Sequence, residues 1–334
     1  MIISRTPFRI SFFGGGTDYA QWYRKHGGAV LGTTINKYCY LTCRHLPPFF
    51  EHRIKVVYSK VEYGQTVDEI NHPTAREVMR FLNITHGVEI HHDADLPART
   101  GMGSSSAFTV GLLHALHALQ GHMASKQQLT RESIHIEQDC VQEMVGYQDQ
   151  TLTAHGGLNH VVFSPNGDIS VNPVTIDQRR IQELNTHLLL FFTGIQRTAS
   201  KIASGYVPDL VNRTAEMSRM GEMVKESLAI LNSKDDLLPF GKLLDEAWQI
   251  KRSLSSAIST AQVDDLYTQA RAAGAVGGKL LGAGGGGFFL VFAPPERHQR
   301  IREKLGKLLH VPFGFEFSGS QIIFYDPESH QEQQ

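Results

Sequence analysis

The sequence predicts an α+β protein of two domains, and three observations carry that expectation. The chain has 334 residues, more than the ~250–300 at which a single hydrophobic core usually stops growing. Its opening segments are rich in β-branched and aromatic residues, whereas helix and strand signals alternate through the C-terminal half. A polar stretch, "DQRRIQELN", lies between two apolar strand runs and puts a boundary near residue 185. The expected division is therefore 1–185 and 186–328, with "SHQEQQ" at 329–334 as a frayed tail. A composition of 41% hydrophobic and 19% charged residues belongs to ordinary globular proteins.

Taken in order, "IISRTPFRISFF", "NKYCYLTCRHL", "RIKVVYSKVEY" and "GVEIHHDADL" read as strands. A Gly/Ser loop, "PARTGMGSSS", then runs into a helix beginning near Ala107, with Phe108, Leu112, Leu116 and Leu119 at helical spacing. A second helix is predicted from Lys126 to Val145, with Ser125 as N-cap, Gln128 at capping-box spacing and Gly146 ending it. The segment "GYQDQTLTAHGGLNH" reads as a loop, "HVVFSPNG" as a strand and "HLLLFFTG" as a buried strand. Beyond it, four helix signals ("VNRTAEMSRMGEMVKESLAIL", "LLPFGKLLDEAWQIKRSL", "VDDLYTQARAAG", "ERHQRIREKLGKLL") accompany the strand signals "GFFLVFAP", "GFEFS" and "IIFYD". Met217, Met220, Met223 and Val224 form a stripe that reads as core filling.

Several function classes are excluded on composition. A formal net charge of −1, without a long Lys/Arg run, offers no field for a nucleic-acid backbone. The longest apolar run, "FFLVFA", is far too short to span a membrane, and "MIISRTPFRISFF" lacks the pattern of a secretory signal, so a cytoplasmic protein is expected. Three cysteines give no disulfide framework; Cys39 and Cys43 share a strand face with Leu41 and read as core rather than zinc ligands. His91, Asp93 and Asp95 also share a strand face, which could suit a cation but reads first as a solvated surface.

Two glycine loops remain. In "KLLGAGGGGFFLVF", Gly282, Gly284 and Gly287 have the G-x-G-x-x-G spacing of a dinucleotide fingerprint, but that fingerprint leaves a strand and opens a helix. Here the helical "VDDLYTQARAAG" precedes it and a strand follows, so it is not read as a nicotinamide site; Phe288 and Phe289 in place of Lys and Ser/Thr exclude a P-loop. The "TGMGSSSAF" loop has the right context, with a strand before it and a helix after it. Backbone amides at that helix N-terminus would hold phosphates, which makes Gly101, Met102, Gly103, Ser104, Ser105 and Ser106 the candidate nucleotide cradle. A Gly/Ser cap with no ligand is the plain alternative.

"PARTGMGSSSA" resembles the second motif of the GHMP kinases, P-x-x-x-G-L-G-S-S-A, with Met102 in the Leu position; "KLLGAGGGGFF" resembles their third and "TPFRISFFGGGTDY" their first. The resemblance runs in family order across nearly the whole chain. It implies a mixed-sheet nucleotide domain followed by a ferredoxin-like α+β domain, with ATP and Mg²⁺ as cofactors. By the same resemblance Ser105 and Glu137 would hold Mg²⁺, Asp149 in "GYQDQ" would be the base, and Arg9 its partner. The first motif implies substrate contacts from Gly15, Gly16, Thr17 and Asp18, and the third from Gly284 and Gly285. Galactokinases read G-E-H-T-D-Y where this chain has Gly14 to Tyr19, so a sugar-binding Glu is replaced by Gly15.

The combination of "FRISFFGGGTDY", "GYQDQ", "HGGLNHVVF" and "TGIQRTASKI" is similar to the D-glycero-D-manno-heptose 7-phosphate kinases and, more distantly, to bacterial L-fucokinases. That similarity implies phosphorylation of the anomeric hydroxyl to give a 1,7-bisphosphate, with Arg197 and Lys201, or Lys251 and Arg252, around the 7-phosphate. A free-sugar 1-kinase, a sugar-sensing regulator and a lyase of the mevalonate diphosphate decarboxylase type are the alternatives, and a homodimer is left open.

Overall fold

The computed structural model describes residues 1–196 and 199–326. Strands β1 (Ile2–Phe13), β2 (Gly28–His45), β3 (Ile54–Val57), β4 (Val61–Gly64), β5 (Val88–Ala94), β6 (Asn159–Phe163) and β7 (Ile169–Pro173) build most of a nine-stranded sheet. Its centre runs β1-β2-β5-β3-β4, antiparallel except for β3 beside β5. β1 occupies the expected strand and is buried over most of its length. Pro7 has no N–H for the ladder, and the register shifts between Pro7 and Phe8, which lets a proline sit in an internal strand.

The second sheet holds β8 (Leu188–Phe192), β9 (Gly277–Leu280), β10 (Phe288–Phe292) and β11 (Leu309–His310) in the order β11-β8-β10-β9, all antiparallel. With helices between the first and second and between the third and fourth strands, this is the ferredoxin-like arrangement that was expected. The chain then returns: β12 (Phe315–Glu316) pairs with β2, and β13 (Gln321–Tyr325) with β1. Residues 315–325 thus belong to the first sheet, although they lie within the stretch 186–328 assigned to the second unit. Phe240 packs edge-on to Phe12 and Phe13, at 5.5 and 5.0 Å, and also meets Phe292, so the two sheets share a core.

The helices are α1 (Ala20–His26), α2 (Pro73–Phe81), α3 (Ser104–Leu119), α4 (Lys126–His135), α5 (Gln148–His155), α6 (Gln178–Thr186), α7 (Ala199–Ala203), α8 (Thr214–Asn232), α9 (Leu238–Ser253), α10 (Ala261–Ala272) and α11 (His298–Lys304). Five elements depart from the expected pattern. α3 starts at Ser104 rather than near Ala107, because Gly103 takes a left-handed conformation (φ 73°) and launches the helix three residues earlier. The second helix keeps its Ser125 cap on the Gln128 amide, but after His135 it widens into a π turn, Ile136–Cys140, and stops there instead of at Val145. α5 lies inside the segment read as a loop, and α6 inside the polar boundary stretch. β9 was not expected at all; a Cβ at its Gly277 would strike the Gly241 carbonyl, so glycine serves close packing of α9 on the sheet.

The apolar stripe and the strand thiols lie in the core as expected: Met217, Met220, Met223 and Val224 are buried, as are Cys39, Leu41 and Cys43. No helix among the described residues is long and apolar enough to cross a membrane. The topology makes a direct prediction. A fragment of residues 1–185 lacks the β12 and β13 partners of β2 and β1, and we expect it to show no cooperative urea transition. A single cooperative transition in that fragment would mean that the first sheet stands without the returning strands.

Candidate active site

The two glycine loops are in backbone contact. A Cβ at Gly101 would meet the Leu281 carbonyl, one at Gly282 the Gly101 backbone, and one at Gly287 the Thr100 carbonyl. The Phe288 amide also donates to the Thr100 carbonyl at 3.1 Å. The glycine-rich loop is therefore the hairpin between β9 and β10, laid against the loop that opens α3. Together with the loop after β1 they border a cleft of ≈970 Å³.

At one end of the cleft sits a charged cluster. Arg9 of β1, 3% exposed, forks onto Asp149 in the first turn of α5, with Nε donating to Oδ1 at 2.8 Å and Nη2 to Oδ2 at 2.6 Å. Its Nη1 donates to the Gly101 carbonyl at 2.7 Å, which fixes Asp149 relative to the α3 loop. Asp18 is fully buried and accepts from the Gly16 amide (2.9 Å), the Gln148 amide (3.1 Å) and Gln148 Nε2 (3.2 Å). Burial pushes its carboxyl above the ordinary value, the amide donors oppose this, and the charge of Asp149 adds to the rise. Tyr19 and Tyr206 line the same end, and burial raises both hydroxyls, Tyr206 to about 12. Ser11 Oγ and Gln148 Oε1 are buried there without a hydrogen-bond partner. Lys251 of α9 and Lys279 of β9 complete the wall.

The loop "TGMGSSS" divides its work. Ser104 and Ser105 line the cleft, whereas Ser106 is buried and donates to Glu137 at 3.0 Å. Glu137, in the π turn, also accepts from Thr109 Oγ1 at 2.7 Å and from Gln150 Nε2. Burial drives its carboxyl up to about 8. At the other end of the cleft Tyr58, His72, His92 and Phe108 form an aromatic wall: His72 stacks on Phe108 at 4.7 Å and His92 meets the same ring edge-on at 5.1 Å. Burial lowers both histidines, so the wall is uncharged at neutral pH.

Two family models match this chain, the N-terminal domain of GHMP kinases over residues 70–157 and the C-terminal domain of GHMP kinases over residues 226–311, between them about half of its length. The chain belongs to the GHMP kinases. As a GHMP kinase it is an ATP-dependent phosphotransferase with an alcohol group as acceptor. It is 27% identical, over 92% of its length and 93% of the relative, to a D-glycero-alpha-D-manno-heptose 7-phosphate kinase from Campylobacter jejuni. A bifunctional fucokinase/GDP-fucose pyrophosphorylase from Arabidopsis thaliana is 26% identical over 90% of this chain but only 30% of that protein. In fold it is similar to the crystal structure of a D-glycero-D-manno-heptose 1-phosphate kinase from Bacteriodes thetaiotaomicron, with a TM-score of 0.80 at 24% identity, covering 97% of this chain and 99% of the other.

The GHMP kinase motifs do not all face the cleft. Gly15, Gly16, Asp18, Asp149, Arg9, Gly101, Gly103, Ser104 and Ser105 line it. Met102 is buried and offers its carbonyl to the Arg9 amide at 3.1 Å, and Thr17 is buried with its hydroxyl on the Gly14 and Ala29 carbonyls. Gly284 and Gly285 turn to Ile258 instead, the Gly285 amide donating to its carbonyl at 2.9 Å; Gly282 and Ala283 are the cleft residues of that loop. Of the four cations expected around a second phosphate, only Lys251 lines the cleft: Lys201 is exposed on α7, Arg252 pairs with Asp264 at 3.0 Å, and Arg197 lies outside the described residues. Sequence reading missed Lys279, Tyr206, Ser11 and Glu143, which lines the cleft beside the serines.

For Mg²⁺ the donor chemistry fits. Ser105 and Glu137 supply hard oxygens, and the three protein donors on Glu137 leave one of its roughly four acceptor positions for an ion. The protonation of Glu137 gives a test in ligand-free protein. Its folded pKa of about 8 exceeds the ordinary 4.5, so the stability this adds is complete below the lower value and is lost as pH rises through the higher one. The thermal midpoint of the wild type should therefore fall relative to that of Glu137→Gln between about pH 5 and pH 8. Parallel curves would mean that the carboxyl is ionised in the free enzyme.

Proposed function

We propose that this GHMP kinase transfers the γ-phosphoryl group of ATP to the anomeric hydroxyl of a sugar phosphate, D-glycero-D-manno-heptose 7-phosphate being the best candidate and the 1,7-bisphosphate the product. The observation that carries the reading is the Arg9 fork on Asp149, anchored to the carbonyl of Gly101 in the phosphate loop. It holds a carboxylate beside the place where the phosphates would lie, in an orientation suited to taking a proton from an acceptor hydroxyl.

The remaining roles follow from the geometry. The amides of Gly103 to Ser105 and the N-terminus of the 16-residue α3 favour the phosphates. The aromatic wall of Tyr58, His72, His92 and Phe108 suits a stacked base. Mg²⁺, held by Ser105 and Glu137, would neutralise phosphate charge. At the acceptor end, Asp18 can receive hydrogen bonds from sugar hydroxyls, which would also satisfy the orphaned Ser11 Oγ and Gln148 Oε1. Two similar proteins named as heptose phosphate kinases support a heptose, one named for a 7-phosphate and the other for a 1-phosphate. A free-sugar kinase is the second reading, favoured by the absence of Lys201 and Arg252, two of the four cations expected around a second phosphate, from the cleft lining.

A ³¹P NMR time course with Mg·ATP tests both. Supplied with D-glycero-D-manno-heptose 7-phosphate, the corresponding 1-phosphate, L-fucose, D-mannose and D-galactose, the enzyme should produce a 1,7-bisphosphate from the first. A free sugar consumed instead would overturn the phosphosugar assignment, and ligand binding without turnover would support a sensor. Asp149→Asn should lower kcat by about 10²–10⁴-fold while ADP binding is retained; a loss confined to KM would make Asp149 a positioning group.

A further inference from the structure

Three lysines line the cleft, Lys60, Lys251 and Lys279, and the last two, contributed by α9 and β9, have no carboxylate bonded to them among the described residues. Lys279, 4% exposed, donates to the carbonyls of Ser11 (3.0 Å) and Phe12 (2.9 Å), bonds that tie β9 to β1. Lys251, in the last turn of α9, makes one hydrogen bond among the described residues, to the Gly282 carbonyl. A lysine has three donors, so Lys251 keeps two for a ligand.

Its position decides what that ligand is. Gly282 abuts Gly101, and Gly101 accepts from Arg9. Arg9 from β1 and Lys251 from α9 therefore flank the seam between the two glycine loops, with Asp149 held on the Arg9 side. The charged groups facing Lys251 are Arg9 on β1, Asp149 on α5, Asp18 after β1 and Lys279 on β9. We propose that Lys251 is a catalytic residue whose ammonium binds the non-bridging oxygens of the phosphoryl group in flight. This rests on the kinase reading above. In the step, the acceptor oxygen bonds to the γ-phosphorus as the bond to the β,γ-bridging oxygen breaks, and that electron pair leaves on ADP. The acceptor proton passes to Asp149, and Lys251 stays protonated throughout, matching charge on the transferred group.

Burial, and then the charge of Arg9, lower the Lys251 ammonium to about 8. The active form is the protonated one, so wild-type kcat/KM should decline as pH rises through that value. Lys251→Met should lose about 10²–10³-fold in kcat on the phosphosugar and on any free sugar accepted, with ADP affinity retained. Lys251→Arg, which stays charged, should recover part of that rate and move the alkaline limb to higher pH, and it serves as the test should Lys251→Met fold poorly. A rise in KM for the phosphosugar alone, with kcat kept, would overturn the proposal and assign Lys251 to the acceptor's own phosphate. An unchanged alkaline limb in Lys251→Arg would overturn it as well. Wild-type enzyme with no turnover on any acceptor would overturn the kinase reading and this inference together, whereas a defect-free Lys251→Met with active wild type would overturn the inference alone.

Discussion

The active cleft depends on one contact, the backbone seam between the loop that opens α3 and the hairpin between β9 and β10. Neither Gly101 nor Gly282 has room for a Cβ, and both take positive φ, 79° and 70°. Because the chains touch there, the two carbonyls bracket the seam and each takes a cation from a different element, Arg9 of β1 for Gly101 and Lys251 of α9 for Gly282. The relative placement of Asp149, the loop that opens α3 and the C-terminal unit is thus set by main chain, which deforms less than side chains would. The glycine spacing that looks like a dinucleotide fingerprint has this different cause: close approach to a second loop.

Around the seam, carboxylates are buried at the cost of desolvation, and each is met by several donors. Asp18 has two amides and a carboxamide, Glu137 two hydroxyls and a carboxamide, and Asp149 a bidentate guanidinium. The ion pair among them, Arg9 with Asp149, adds little net stability compared with apolar packing. The value of these contacts lies in fixing orientation in a medium where unpaired charge is strongly disfavoured. The same burial raises two of the carboxyls, Glu137 to about 8 and Asp18 above its ordinary value.

What the sequence made legible follows the strength of the local signal. β1 runs over the segment read as a strand, the Ser125 cap forms, and the ordered glycine motifs point to the right fold and family. α5 was missed because its buried positions include Gln150, Thr151 and Thr153, so no apolar stripe marks a helix that turns polar groups inward. β9 was missed because two of its four residues are glycines. The choice between Lys251 and Arg252 could not be read from their adjacency, since neighbours on a helix point about 100° apart and only the phase of α9 on the sheet sends one into the cleft and the other to Asp264. Glu137 was picked out by resemblance, but its π turn has no counterpart in composition or periodicity.

The acceptor end shows how the same scaffold can be redirected. An ideal Cβ on Gly15 would lie 3.5 Å from Ser11 Oγ and 3.5 Å from Gln148 Nε2, ordinary contact distances. A Cβ at this position is therefore sterically tolerable and would face Ser11 and Gln148, whose Oγ and Oε1 atoms are here without partners. With glycine in place, the space and the unmet hydrogen bonds both pass to the ligand. Arg9, Asp149 and the seam are untouched by that exchange, because they are held by Gly101 and not by residue 15. The contacts of residue 15 and those that hold Asp149 are thus separate, so on the proposed reading a substitution at Gly15 would alter the acceptor end without moving that carboxylate.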